Sequence, residues 1–223
     1  KAAEMAERML DRKLPVRPGE ALLLLEVDGS DLDALRREYE RMGEICLEAG
    51  AADVLLAESG EKQEMMWSIR RAVGEAVKSF SVYKEEDTVV PPAQLPRLLE
   101  EIRRVTERYG LMAVCYGHAG DGNIHCNILK EDMDDERWNT VLPEAVREIH
   151  RRTVALGGSI TGEHGVGYTQ KSFLPIALSG AEISLMKKIK RAFDPLDILN
   201  PGKMFPEGNS EREQLLTKGG VTR

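Results

Sequence analysis

Three of the four histidines of this 223-residue chain lie in two glycine-rich segments. Tyr116-Gly-His-Ala-Gly-Asp-Gly-Asn-Ile-His125 holds His118 and His125, and Thr161-Gly-Glu-His-Gly-Val-Gly167 holds His164. Glycine permits φ above zero and a sharp reversal, so the first segment predicts a turn between two strands with one imidazole on each arm. The two rings would face each other, and Glu163 of the second segment could add a third donor. Two imidazoles and a carboxylate around an open position describe a catalytic divalent site of the kind Zn²⁺ favours, leaving Mn²⁺ and Fe²⁺ open. The plainer alternative is a glycine-rich hairpin whose histidines cap carbonyls; Asp, Asn, Glu and a third His crowded into the same loops weigh against it. His125 and Asn127, two apart on a strand, point to one side of a sheet. His150, in a helical stretch rich in Arg and Glu, is expected to be a solvated surface histidine.

Other chemistries lack their signatures. Gly162-x-x-Gly165-x-Gly167 reverses the spacing of the dinucleotide fingerprint, and no phosphate-loop, H-E-x-x-H or G-x-S-x-G motif occurs. Cys46, Cys115 and Cys126 are odd in number and scattered, which argues against a disulfide framework or a thiolate knuckle. Cys115 and Cys126 are expected as small core residues on strands. With 31 Lys and Arg against 38 Asp and Glu, the formal charge is −7, so no basic face invites nucleic acid. The longest apolar runs, Ala21-Leu-Leu-Leu-Leu25 and Leu111-Met-Ala-Val-Cys-Tyr116, are far short of the roughly 20 residues of a membrane-spanning helix. The first residues lack a signal peptide's order, and a reducing cytosol is the expected compartment.

The elements that must position these residues follow from periodicity. Helices are predicted over 1–10, 31–50, 61–80, 95–109, 134–156 and 179–192, and strands over 21–28, 53–58, 81–90, 111–116 and 124–129. Residues 15–20 form a Pro/Gly connector, and the polar tail after Phe205 is expected to fray. Strands joined by helices and a tight hairpin, in two similar halves, predict an α+β fold. It has an antiparallel sheet, helices on one face, two ferredoxin-like halves and a C-terminal helical segment.

Three motifs in order give a family resemblance: the His118/His125 segment through Asn127, the Thr161–Gly167 segment, and Phe193-Asp-Pro-Leu-Asp-Ile-Leu-Asn-Pro-Gly-Lys203. Together they resemble the C-terminal domain of FAD-linked 2-hydroxy acid oxidases and dehydrogenases, the family of glycolate oxidase FAD subunits, D-lactate dehydrogenases and D-2-hydroxyglutarate dehydrogenases. The resemblance runs from about Ala21 to Phe205. It implies that His118, His125 and Glu163 bind a divalent metal, Zn or Mn, and that His164 is the general base. Arg70 of Trp67-Ser-Ile-Arg70, Lys84 of Val82-Tyr83-Lys84 and Asn127 would bind substrate, and Asn200 and Lys203 would approach the FAD. Residues 1–20 would be a helix and linker after a missing FAD-binding domain, 21–207 the substrate and metal domain, and 208–223 a tail. A chain without an initiator Met or a flavin segment is expected to be inactive alone. Implied partners are a small 2-hydroxy acid, the flavin-binding domain of the same parent chain, and an iron–sulfur subunit or other electron acceptor, through which the protein could touch the inner membrane. Gly74, one turn after Arg70, stands where some dicarboxylate-using members carry a hydroxyl residue, which favours glycolate or D-lactate over 2-hydroxyglutarate. Outside that class stand a metal- or carboxylate-binding module without redox activity and a metallohydrolase that uses the same ligands.

Overall fold

The structure is a computed structural model that describes residues 1–13 and 21–206. The connector at 15–20 and nearly all of the tail lie outside them. The chain divides into two compact units, Lys1–Phe80 and Ser81 onward.

In the first unit, α1 (Ala2–Leu10), α2 (Leu32–Glu48) and α3 (Gly60–Phe80) are close to the predicted helices. The Asp31 carboxylate caps α2 by accepting the N–H groups of Asp33 and Ala34 at 3.0 and 3.1 Å. α1 packs on α3, with Ala6, Ile69, Val73 and Val77 buried. The strands expected over 21–28 and 53–58 do not form. Both segments are non-helical, but neither has a ladder partner among the described residues, and Leu22 to Leu25 and Val54 to Leu56 are exposed. Apolar β-formers favour an extended backbone; a strand also needs a neighbour to pair with. The β-α-β-α order expected for this half is therefore met in its helices only.

The second unit contains the sheet. β1 (Tyr83–Val89), β2 (Met112–His118) and β3 (Asn123–Leu129) form an antiparallel sheet in the order β1-β3-β2. α4 (Leu95–Tyr109) links β1 to β2 and ends at Gly110, whose φ of 67° suits a residue without Cβ. α5 (Asp135–Ala155) follows β3; then come the short α6 (Leu174–Ala177) and α7 (Gly180–Phe193), which opens on a Ser179–Glu182 capping box.

Strand alternation gives the sheet two chemistries. Lys84, Glu86 and Thr88 of β1 pair with Ile128, Cys126 and Ile124 of β3, and this face meets Leu98, Ile102 and Ile149 of α4 and α5 in the core. Each such side chain contributes about 1.5–3 kcal/mol relative to exposure. On the opposite face Glu85 and Asp87 pair with Asn127 and His125. The expectation of an antiparallel sheet with helices on one face is met here, and the opposite face carries the polar residues.

Candidate metal centre

The hairpin between β2 and β3 turns through Ala119–Asp121 and Gly122, whose φ is 73°. A Cβ on Gly122 would strike the Val90 carbonyl, so only glycine fits. The turn places the His118 and His125 rings 5.8 Å apart at 78°. Glu163 Oε1 lies 3.1 Å from His125 Nε2 and 3.7 Å from His118 Nε2. The three ligand atoms fall within 4.8 Å of one another. His125 is buried, with its side chain 8% exposed, whereas His118 and Glu163 are about half exposed at 46% and 52%. Two imidazole nitrogens and one carboxylate oxygen converging on a solvent-reachable point fit a divalent ion with an open position. On the far side of the ring, His125 Nδ1 lies 3.4 Å from Glu85 Oε1. Nδ1 has no hydrogen-bond partner among the described residues, and Glu85 stands on the side from which outer carboxylates orient ligating histidines.

The second glycine-rich segment is brought to this point by β1. Asp87 Oδ2 accepts the backbone N–H groups of Gly162, Glu163 and His164 at 2.8, 2.9 and 2.9 Å, and the Thr161 hydroxyl at 3.1 Å. Its Oδ1 accepts the Asn123 amide at 2.6 Å. Burial pulls the Asp87 carboxyl upward; the His164 N–H, the Asn123 amide and the Glu163 and Gly162 N–H groups outweigh it and hold the carboxyl well below the usual carboxylate range. Gly162 is required, because a Cβ there would run into the Asn123 amide.

The residues expected from sequence divide by position. His164 joins the cluster, its ring 5.0 Å from that of His125 and its Nε2 3.9 Å from Glu163 Oε1. Asn127 lies on the same face, fully buried, with neither amide atom hydrogen-bonded among the described residues. Lys84 does not join them. It points to the helix-packed face, where its Nζ sits 2.6 Å from Glu86 Oε1, because a neighbour of Glu85 on a strand must face the other way. Arg70 lies on α3 of the first unit. Asn200, with φ of 48°, and Lys203 sit after α7, with the Lys203 Nζ 4.8 Å over the Tyr168 ring, and among the described residues neither is brought to the histidine cluster.

His150 corrects the expectation of a surface histidine. It is fully buried on α5, its Nε2 3.1 Å from Glu86 Oε2 and its ring 5.0 Å from Phe173. Glu148, Arg151 and Arg152 stand near it in sequence, but its own helical position faces the sheet. Sequence reasoning missed Glu85, Glu86 and Asp87, a run of three acids resembling a solvated edge. The signal was there in one form: a strand period assigns Glu85 and Asp87 to one face and Glu86 to the other.

Comparison with known proteins gives a consistent picture. Residues 1–204 match the family described as FAD linked oxidases, C-terminal domain. The chain is 32% identical over 185 residues to a D-lactate dehydrogenase of Anaerostipes hadrus, covering 82% of this chain and 39% of that protein. It is 34% identical over 195 residues to the glycolate oxidase subunit GlcD of Bacillus subtilis, covering 86% and 41%. It is 36% identical over 166 residues to a D-2-hydroxyglutarate dehydrogenase of Stutzerimonas stutzeri, covering 73% and 36%. The chain thus spans about two-fifths of the length of these relatives.

Proposed function

The chain belongs to the family of FAD linked oxidases, C-terminal domain, and from that premise we propose that it is the substrate- and metal-binding part of a flavin-dependent oxidoreductase that converts a 2-hydroxy acid of the glycolate or D-lactate type to the 2-oxo acid. The observation that carries the reading is the convergence of His118, His125 and Glu163 on one point, with His164 beside them.

His118 Nε2, His125 Nε2 and Glu163 Oε1 are the atoms that would hold a divalent ion. Such an ion supplies Lewis acidity toward hydroxyl and carboxylate oxygens, and a flavin held elsewhere in the parent protein supplies the hydride acceptor. The rest falls to the chain's own side chains. Oxidation at C2 requires the hydroxyl proton to leave as the hydride leaves the carbon. His164, whose Nε2 lies 3.9 Å from Glu163 Oε1, would take that proton, and imidazole is a base suited to neutral pH. Asn127 has an amide with its donors and acceptor still to be satisfied, on the face where the substrate would lie. By motif alone Arg70, whose planar fork suits a carboxylate, belongs with the substrate, and Asn200 and Lys203 belong to the flavin side. Lys84, committed to Glu86, has no part in this assignment.

Elemental analysis of the purified chain tests the reading. One divalent ion per chain, lost in the His118→Ala/His125→Ala double variant, is the expected result. Absence of metal from the unaltered chain after incubation with Zn²⁺ or Mn²⁺ would remove the centre on which the function rests.

A further inference from the structure

Glu163 and His164 come from a loop, and a loop does not hold two side chains in a working geometry without something to hold the loop. Hydrogen bonds within 161–167 do part of this: the Gly165 N–H donates to the Thr161 hydroxyl at 2.8 Å. The main attachment is outside the loop, on β1. Three consecutive N–H groups, those of Gly162, Glu163 and His164, converge on one oxygen of Asp87, with the Thr161 hydroxyl on the same oxygen. The Gly162 N–H also lies 3.2 Å from the Asp87 carbonyl. The other carboxylate oxygen takes the Asn123 amide, which at the same time donates to the Thr88 carbonyl at 3.1 Å. Asp87 is fully buried and is the register partner of His125. One side chain of β1 therefore connects the first residue of β3, the strand that carries His125, to the loop that carries Glu163 and His164.

We propose that Asp87 is the positioning residue of this centre: its carboxylate fixes the backbone of residues 161–164 and so sets the points from which Glu163 and His164 reach the metal and substrate positions. The inference rests on the function proposed above and deepens it. The chemistry demands a carboxylate. Both oxygens must accept, Oδ2 from the loop and Oδ1 from Asn123, and no neutral side chain of this size offers two acceptor oxygens. In an Asp87→Asn variant, turning the amide oxygen to the loop puts NH₂ against the Asn123 NH₂, and the reverse turn puts NH₂ against three N–H groups. Either way a buried donor is left facing a donor.

The experiment uses the isotope-labelled 223-residue chain, with amide hydrogen exchange and a Co²⁺ titration followed by visible absorption. In Asp87→Asn the amides of Gly162, Glu163 and His164 are expected to exchange about tenfold faster or more. Co²⁺ affinity is expected to fall about 10–100-fold with altered visible bands, as for loss of other outer-shell carboxylates. Amides of Cys126 and Ile128 in β3 keep their protection. Thr161→Val, which removes one neutral donor, is expected to show a smaller change of the same kind, and it decides the matter should Asp87→Asn fail to fold. Unchanged loop exchange and Co²⁺ binding in either folded variant would overturn the assignment, as would loss of β3 protection in step with the loop. An unaltered chain that binds no Co²⁺ would sink the metal reading instead, and loop exchange would then decide the Asp87 assignment alone.

Discussion

Asn127 shows how a residue can be costly to the fold and useful to the site. Its side chain is fully buried, and neither its nitrogen nor its oxygen has a hydrogen-bond partner among the described residues. A buried amide without partners costs about 1–3 kcal/mol, and replacing it by an apolar group of similar shape removes that cost. Asn127→Leu is therefore expected to raise the melting temperature of the chain while weakening 2-hydroxy acid binding, read by calorimetry in the presence of metal. A lower melting temperature would show that the amide is satisfied in solution. Glu85 gives a second outcome: Glu85→Ala removes the carboxylate 3.4 Å from His125 Nδ1, and metal affinity is expected to fall about 10–100-fold by competition with a chromophoric chelator. His118, His125, Glu163 and His164 were legible in the sequence because glycines at a hairpin leave few ways for two imidazoles to lie except together. Glu85 and Asp87 were not, since their use depends on a strand register with residues some 40 positions later.

The sheet's helix-packed face carries a charge network with its own pH dependence. Glu86, fully buried, is met by Lys84 at 2.6 Å, His150 at 3.1 Å and the Gln170 amide at 3.2 Å. Burial raises the carboxyl most strongly as a single influence, but the His150 hydrogen bond and the Lys84 charge together hold it below the usual range. A carboxyl lowered in the folded state contributes stability that is complete above its unfolded pKa of about 4.3 and is lost as pH falls through the folded value. The urea midpoint of the unaltered chain is thus expected to drop from roughly pH 5 downward, and that of Glu86→Gln to start lower at neutral pH and fall less steeply. Parallel curves would mean that Glu86 does not titrate with unfolding. In the second unit α4, α5 and α7 were readable from apolar spacing and capping residues, and the strands from runs bounded by turn residues; the short α6 was not read. The strands at 21–28 and 53–58 were not, since periodicity registers what a segment can do and a ladder depends on what lies beside it. His150 escaped for a related reason: the charges flanking it belong to the other faces of α5.

Charge decides how the whole molecule can meet its substrate. The chain carries a formal charge of −7, and the polar sheet face adds Glu85, Asp87 and Glu163 at the place where a 2-hydroxy acid anion would lie. An anion brought against three carboxylates is repelled unless positive charge intervenes, and the described residues of the cluster offer none as a fixed cation, the histidines being ligands. Binding of the anion by this chain is therefore expected to depend on the divalent ion. Calorimetric titration with D-lactate or glycolate should give saturable binding in the presence of Zn²⁺ or Mn²⁺, none after chelation, and recovery when metal is restored. The same metal-loaded chain, offered FAD and a dye acceptor, is expected to turn over no substrate, because its relatives are more than twice as long and the hydride acceptor must be held against C2 to react. Arg70, assigned to the carboxylate by motif, is not expected to hold the anion alone; binding that survives chelation and is lost in Arg70→Ala would show that it does. Turnover without the rest of the parent protein would show that these residues hold the flavin as well, and the division of labour proposed for this family member would fail.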